Sequence, residues 1–203
     1  MFDATAPRFG LPASLWIPIA AASVADIGKY VGRVSQCVKD PKTGLVNAVL
    51  VETRQRDVVK EPNVGLWKSP LASSASERLY PAKQVWVHVD YRGYRNAYVE
   101  FNMPDIPPDY FLDHVQNCEA IRTRGNSHPY LRLCPVHRRV NTSGGHNAGG
   151  EGMEKRFLDS HPQPPAPNRI IYADPMDLTK MLDIPPGTQV LDGVRTTQSQ
   201  FYP

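Results

Sequence analysis

Gln84-Val-Trp-Val-His-Val-Asp-Tyr91 sets valines at 85, 87 and 89 against Trp86, His88 and Asp90. A period of two marks a strand whose faces meet different surroundings. Arg92-Gly-Tyr-Arg-Asn96 follows as a turn, and Ala97-Tyr-Val-Glu-Phe-Asn102 reads as the return strand. Upstream, Tyr30 to Val38 carries the β-branched Val31, Val34 and Val38. It runs into Asp40-Pro-Lys-Thr-Gly44, where Pro41 presets φ and Gly44 tolerates positive φ. Val46 to Thr53 returns through Val49, Leu50 and Val51. Two hairpins of this kind predict a small antiparallel meander.

Working outward, Ile106-Pro-Pro-Asp-Tyr110 predicts the start of a helix, because proline is pre-organised for the first helical position. Phe111, Leu112, Val115 and Cys118 then fall on one helical stripe. Arg54 to Lys83 is polar, broken by Pro62, Pro70 and Pro81, and reads as a surface loop. Asp174-Pro175 opens a last short helix through Leu178, Met181 and Leu182, which Pro185-Pro186 stop. The expected fold is therefore α+β: a small meander with one or two short helices and long, irregular arms. The divisions are an N-terminal arm over 1–28, a meander-plus-helix core over 29–118, and an Arg/Gly/Pro-rich C-terminal arm over 119–203.

Composition agrees with a modest core. The 203 residues include 20 prolines, about twice the usual share, and 14 glycines. Hydrophobic residues make up 41% and charged residues 21%, which excludes collagen, a long coiled coil and wholesale disorder. The net charge of +3 is too mild for a nucleic-acid binder driven by charge alone. The longest uncharged stretch, Phe9 to Ala25, contains Pro12 and Pro18, so no membrane-spanning helix is expected. The first 29 residues resemble neither an Arg-rich transit peptide nor a secretory signal. Cys37, Cys118 and Cys134 are too few and scattered for a disulfide framework.

Chemistry-bearing motifs are sparse. Cys134-Pro-Val-His137 has ligand types found in zinc sites, but a closed site needs four ligands. Cys118, His128 and His146 stand at no recognised spacing from the pair. A Cys134 nucleophile with His137 as base needs a lowered thiol pKa and a third group, and nothing marks either. Ser143 to Gly152 holds five glycines without the Gly-Lys-Ser/Thr ending of a phosphate cradle. Asn141-Thr-Ser143 is a formal glycosylation sequon. Arg122, Arg124, Arg132, Arg138 and Arg139 crowd a stretch with one acid, Glu119, and could lie along RNA phosphates or pair with a partner's carboxylates. No catalytic, cofactor-binding or metal residue is assigned, and no enzyme activity is expected.

Several elements in order carry a family resemblance. They are Lys29-Tyr-Val-Gly-Arg-Val34, a turn ending at Gly44, Glu52, and Val85-Trp-Val87 with Tyr91. Ile106-Pro-Pro-Asp-Tyr110 with His114 follows, then His137, Asn141 and Ser143-Gly144. From Lys29 to Gly150 the chain resembles, as a divergent member, the family of the seventeen-kilodalton (A-twelve) accessory protein of mitochondrial respiratory complex I, whose relatives include the assembly factor mimitin. The resemblance implies a structural subunit without cofactor or redox chemistry, peripheral on the matrix side of the inner membrane. Its partners would be core and accessory subunits of the matrix arm of NADH:ubiquinone oxidoreductase, in a hetero-oligomeric assembly with no direct nucleic-acid contact. The alternatives are a complex I assembly factor of the same family, an RNA-contacting accessory protein such as a mitochondrial ribosomal subunit, and a zinc module built on Cys134 and His137.

Overall fold

The computed structural model describes residues 15–54, 70–72, 75–123, 125–138, 140 and 169–183. In chain order its strands are β1 (Pro18–Ala21), β2 (Gly32–Lys39), β3 (Val46–Thr53), β4 (Lys83–His88), β5 (Tyr110–His114), β6 (Tyr130–His137) and β7 (Ile170–Tyr172). The helices are α1 (Val24–Tyr30), α2 (Ala75–Leu79), α3 (Tyr94–Glu100), α4 (Cys118–Thr123) and α5 (Pro175–Met181). All strand pairs are antiparallel, in the order β2-β3-β4-β6-β1-β7, with β5 also paired to β6. The architecture is α+β, as the sequence predicts.

The first hairpin closes as its turn chemistry requires. The Asp40 carboxylate accepts hydrogen bonds from the backbone N–H groups of Lys42 and Thr43, both at 2.8 Å. Gly44 ends the turn at φ +73°, a conformation open to glycine at no steric cost. Gly32 then faces Thr53 at the far end of the ladder. The backbones are so close there that a Cβ on Gly32 would run into the Glu52 carbonyl. On β3 and β4, alternation sends Ala48, Leu50, Val85 and Val87 to one face and Val49, Val51 and Trp86 to the other. Both faces are covered, the first by α3 and the second by α1.

Three expectations change. Ala97 to Asn102 is not a return strand, because both edges of β4 are taken, by β3 and β6. The segment instead forms α3, which buries Ala97, Tyr98 and Phe101 and exposes Val99 and Glu100, a helical rather than alternating pattern. Pro107-Pro108 launch no helix. A Tyr110 N–H to Pro107 C=O bond makes a turn, and Tyr110–His114 then joins the second half of β6, with Tyr110 opposite His137 and His114 opposite Leu133. Within the stretch read as a loop, Ala75–Leu79 is α2.

The sheet also crosses the sequence divisions. β1 comes from 1–28 and lies between β6 and β7, both from 119–203. β6 pairs its first residues with β4 and β1 and its last five with β5, so a strand from the arginine-rich arm is the hub of the sheet. Asp174 opens α5 as predicted, accepting from the N–H groups of Met176 and Asp177 at 2.7 and 2.9 Å, while Asp177 bonds back to the Asp174 N–H. The glycine-rich stretch from Ser143, the Asn141 sequon, His146, the polyproline run to Pro167 and Pro185-Pro186 lie outside the described residues.

Candidate functional site

β6 decides where the chemistry sits. Residues two apart on a strand share a face, and residues three apart do not. Arg132 and Cys134 therefore point to one side of the sheet, and His137 to the other. The Cys134 thiol is buried in the apolar core, while the His137 ring meets Tyr110 edge-on with centroids 5.1 Å apart. Burial pushes the thiol pKa up, against the pull of the Arg78, Lys180 and Arg132 charges. A nucleophile needs the opposite shift. Strand geometry thus separates the one Cys/His pair the sequence singles out. Among the described residues no group of three or more His, Cys, Asp or Glu side chains could hold a metal ion. Cys37 is exposed and Cys118 half-buried, and neither is in a disulfide.

What gathers beside Cys134 is basic. Arg132 is 1% exposed, yet only its Nη2 is matched, donating to the Leu79 carbonyl at 2.9 Å. α2 brings Arg78 alongside, 7% exposed, with one guanidinium nitrogen donating to the Pro135 carbonyl. The same nitrogen lies 3.7 Å from the Asp183 carboxylate, which also accepts from the His137 N–H at 3.0 Å. Arg78 Nε and Arg132 Nε and Nη1 are buried without a hydrogen-bond partner. Burial lowers the Arg132 pKa to about 10 and raises that of Asp183, an effect Arg78 opposes. Of the two buried guanidiniums, that of Arg78 lies beside a carboxylate, Asp183, and that of Arg132 meets the Leu79 carbonyl.

These arginines line a pocket of about 320 Å³, walled by Leu71, Val85, Tyr98, Met103, Leu133 and Cys134, among others. Glu77, Lys83 and Asp105 line it too, and all three are solvent-exposed. Tyr98 and Met103 also wall a second groove of about 390 Å³, between α3 and the segment from Ile106 to Leu112. This groove includes two of the three exposed large apolar side chains among the described residues, Val99 at 74% and Phe111 at 43%.

The arginine run does not form one basic face among the described residues. Arg132 is in the core. Arg122 bonds the Val89 carbonyl at 3.0 Å and Asp90 at 3.4 Å, and Arg138 stands 3.9 Å from Asp109. Arg124 and Arg139 lie outside the described residues. Nothing in the sequence marks Arg78, and Arg132 falls in the stretch expected to be a surface arm. The apolar run Tyr130-Leu-x-Leu-Cys134 around Arg132 is the available signal that this segment is a buried strand. No described helix is long and apolar enough to cross a membrane. Compared with protein-family models, curated proteins and solved structures, the chain gives no match.

Proposed function

We propose that the chain is a non-catalytic accessory subunit that docks on a larger assembly, the matrix arm of respiratory complex I. The identity of the assembly rests on the order of sequence elements from Lys29 to Gly144. The observation that carries the docking role is the groove beside α3. It is built on Ile106-Pro-Pro-Asp-Tyr110, the most specific stretch of the resemblance, and it presents Val99 and Phe111 to solvent. Exposed apolar side chains flanking a groove mark a protein contact when they cluster, as here on α3 and the edge of β5. The raised thiol pKa of Cys134 and its separation from His137 also favour a structural role over covalent catalysis.

Fractionation of mitochondrial membranes in mild detergent tests this reading. The protein should co-migrate with NADH dehydrogenase activity. Replacing Val99 and Phe111 by Asp should release it while leaving the isolated chain folded. Recovery only on partial assemblies would assign an assembly factor instead. Recovery only in fractions lacking the activity would refute complex I membership.

A further inference from the structure

The connection between α4 and β6 carries a pattern that docking does not use. Arg122-Thr-Arg-Gly-Asn-Ser127 sets Arg five and three positions ahead of Ser127, and no other Ser or Thr of the chain has Arg at both positions. Guanidiniums at fixed spacing before a hydroxyl suit a peptide gripped by an enzyme's carboxylates, each taken in a bidentate fork. Kinases choose substrates by such charge patterns. The fold leaves the stretch accessible. Arg122, Thr123, Gly125, Asn126 and Ser127 are all exposed, and the one residue that α4 buries is Ile121. The backbone turn is closed by two bonds of 3.1 Å, from the Gly125 N–H to the Arg122 carbonyl and from the Asn126 N–H to the Ile121 carbonyl. The Arg122 side chain adds its bonds to the Val89 carbonyl and Asp90. Opening the turn thus breaks a few hydrogen bonds at the surface and uncovers no buried apolar side chain of the described residues it contains. Segments with so few buried contacts open at low free energy. Ile121 on one side and His128 on the other, both buried, keep the ends in place. The two hydroxyls of the turn differ. That of Thr123 donates to the Glu119 and Ala120 carbonyls at 3.0 and 3.1 Å, whereas that of Ser127 meets the His128 Nδ1 at 3.0 Å.

We propose that Ser127 is a phosphorylation site for an arginine-directed protein kinase, with Arg122 and Arg124 as the recognition residues. The Ser127 Oγ attacks the γ-phosphorus of ATP, a new Oγ–P bond forms, and the bond from that phosphorus to the β–γ bridging oxygen breaks. ADP leaves, and the hydroxyl proton passes to the kinase's catalytic carboxylate. The product carries about −1.5 to −2 charge at neutral pH in a turn that holds two arginines. The inference stands apart from complex I membership: it is tested on the isolated full chain, whereas that membership is tested by fractionation.

The test is incubation of the folded full-length protein with radiolabelled ATP and a purified kinase that requires Arg five and three positions before its target. Tandem mass spectrometry then locates the phosphate. The chain should take up one phosphate, on Ser127, and Ser127→Ala should abolish the uptake. Each guanidinium gives up charge-assisted bonds when replaced, so Arg122→Gln and Arg124→Gln should each lower the initial rate by at least about fivefold. Circular dichroism checks that each variant keeps its fold. If Arg122→Gln loosens the chain by losing the Val89 bond, Arg124→Gln decides the matter. A proline-directed kinase, offered His128 after the target serine, should leave Ser127 unlabelled. No phosphate on Ser127, a phosphate carried chiefly by another residue such as Thr142, or a smaller loss of rate in Arg124→Gln would overturn the proposal.

Discussion

Replacing Trp86 by Ala tests whether the sheet is organised around β4. Trp86 is fully buried on a strand paired on both sides, opposite Val49 of β3 and Arg132 of β6. Its ring packs in the cluster that holds Ile27, Val31, Tyr130 and Ile170, so it ties α1 and β7 to the middle of the sheet. Its Nε1 donates to the Gln84 side chain at 3.1 Å, a bond closed inside the core. Truncating a large aromatic in a packed core costs about 3–5 kcal/mol. Leaving the buried Gln84 amide oxygen unmatched adds about 1 kcal/mol or more. Total stability for a domain is about 5–15 kcal/mol, so the loss is a large fraction of it. Urea unfolding followed by far-ultraviolet circular dichroism measures this. With a slope of about 2–3 kcal/mol per molar, the midpoint should fall by about 1.3–3 M. Trp86→Phe keeps most of the ring and loses the hydrogen bond, so it should lose less than half as much. A midpoint for Trp86→Ala within about 0.3 M of the unmodified protein would refute the placement of Trp86 and the register of β4.

Other expectations follow from single features. Gly32→Ala forces β2 and β3 apart where a Cβ meets the Glu52 carbonyl, and chemical unfolding should register a loss of about 1–3 kcal/mol. Asp174→Ala removes the capping box of α5 and should cost about 1–2 kcal/mol, read as a lower thermal midpoint. Burial holds the His114 imidazole neutral and lowers its pKa from 6.5 to about 4. The unfolded chain therefore takes up a proton that the folded chain refuses between those two values. Stability from this group is complete above pH 6.5 and falls by up to about 3 kcal/mol as pH drops to 4. In His114→Gln that part of the pH dependence should vanish, and unchanged pH dependence would rule the assignment out.

How far the sequence can be read depends on whether a signal is local. The Asp40–Gly44 turn, the β2–β3 hairpin, β4 and the Asp174 cap are written in adjacent residues, and each stands where expected. α3 reads as a strand because Ala97-Tyr-Val-Glu-Phe is rich in strand-forming aromatic and β-branched residues. What decides it is long-range: β6 occupies the edge of β4 that a return strand would need. The Pro107-Pro108 element has the residues of a helix start, and the demand of β6 for a partner overrides them. The candidate site is the least legible part. It joins Arg78 of α2, Arg132 of β6 and Asp183 beyond α5, which no sequence spacing connects. The Cys134/His137 pair is conspicuous for the opposite reason, its closeness in sequence, and strand geometry parts it.

The place of β1 has a consequence for how the protein is made. Ala20 and Ala21 pair with Leu131 and Tyr130 on one side, and with Ile171 and Ile170 on the other. Neither neighbour exists when β1 leaves the ribosome. At about 5–20 residues per second, β1 waits on the order of ten seconds for its last partner. Meanwhile Ile17 and Ile19, fully buried at the end, have nothing of their own sheet to cover them. The β2–β3 hairpin can form during this interval. The β6-β1-β7 end of the sheet is thus assembled late, from both ends of the described chain, and any truncation before Ile170 leaves β1 with one edge bare.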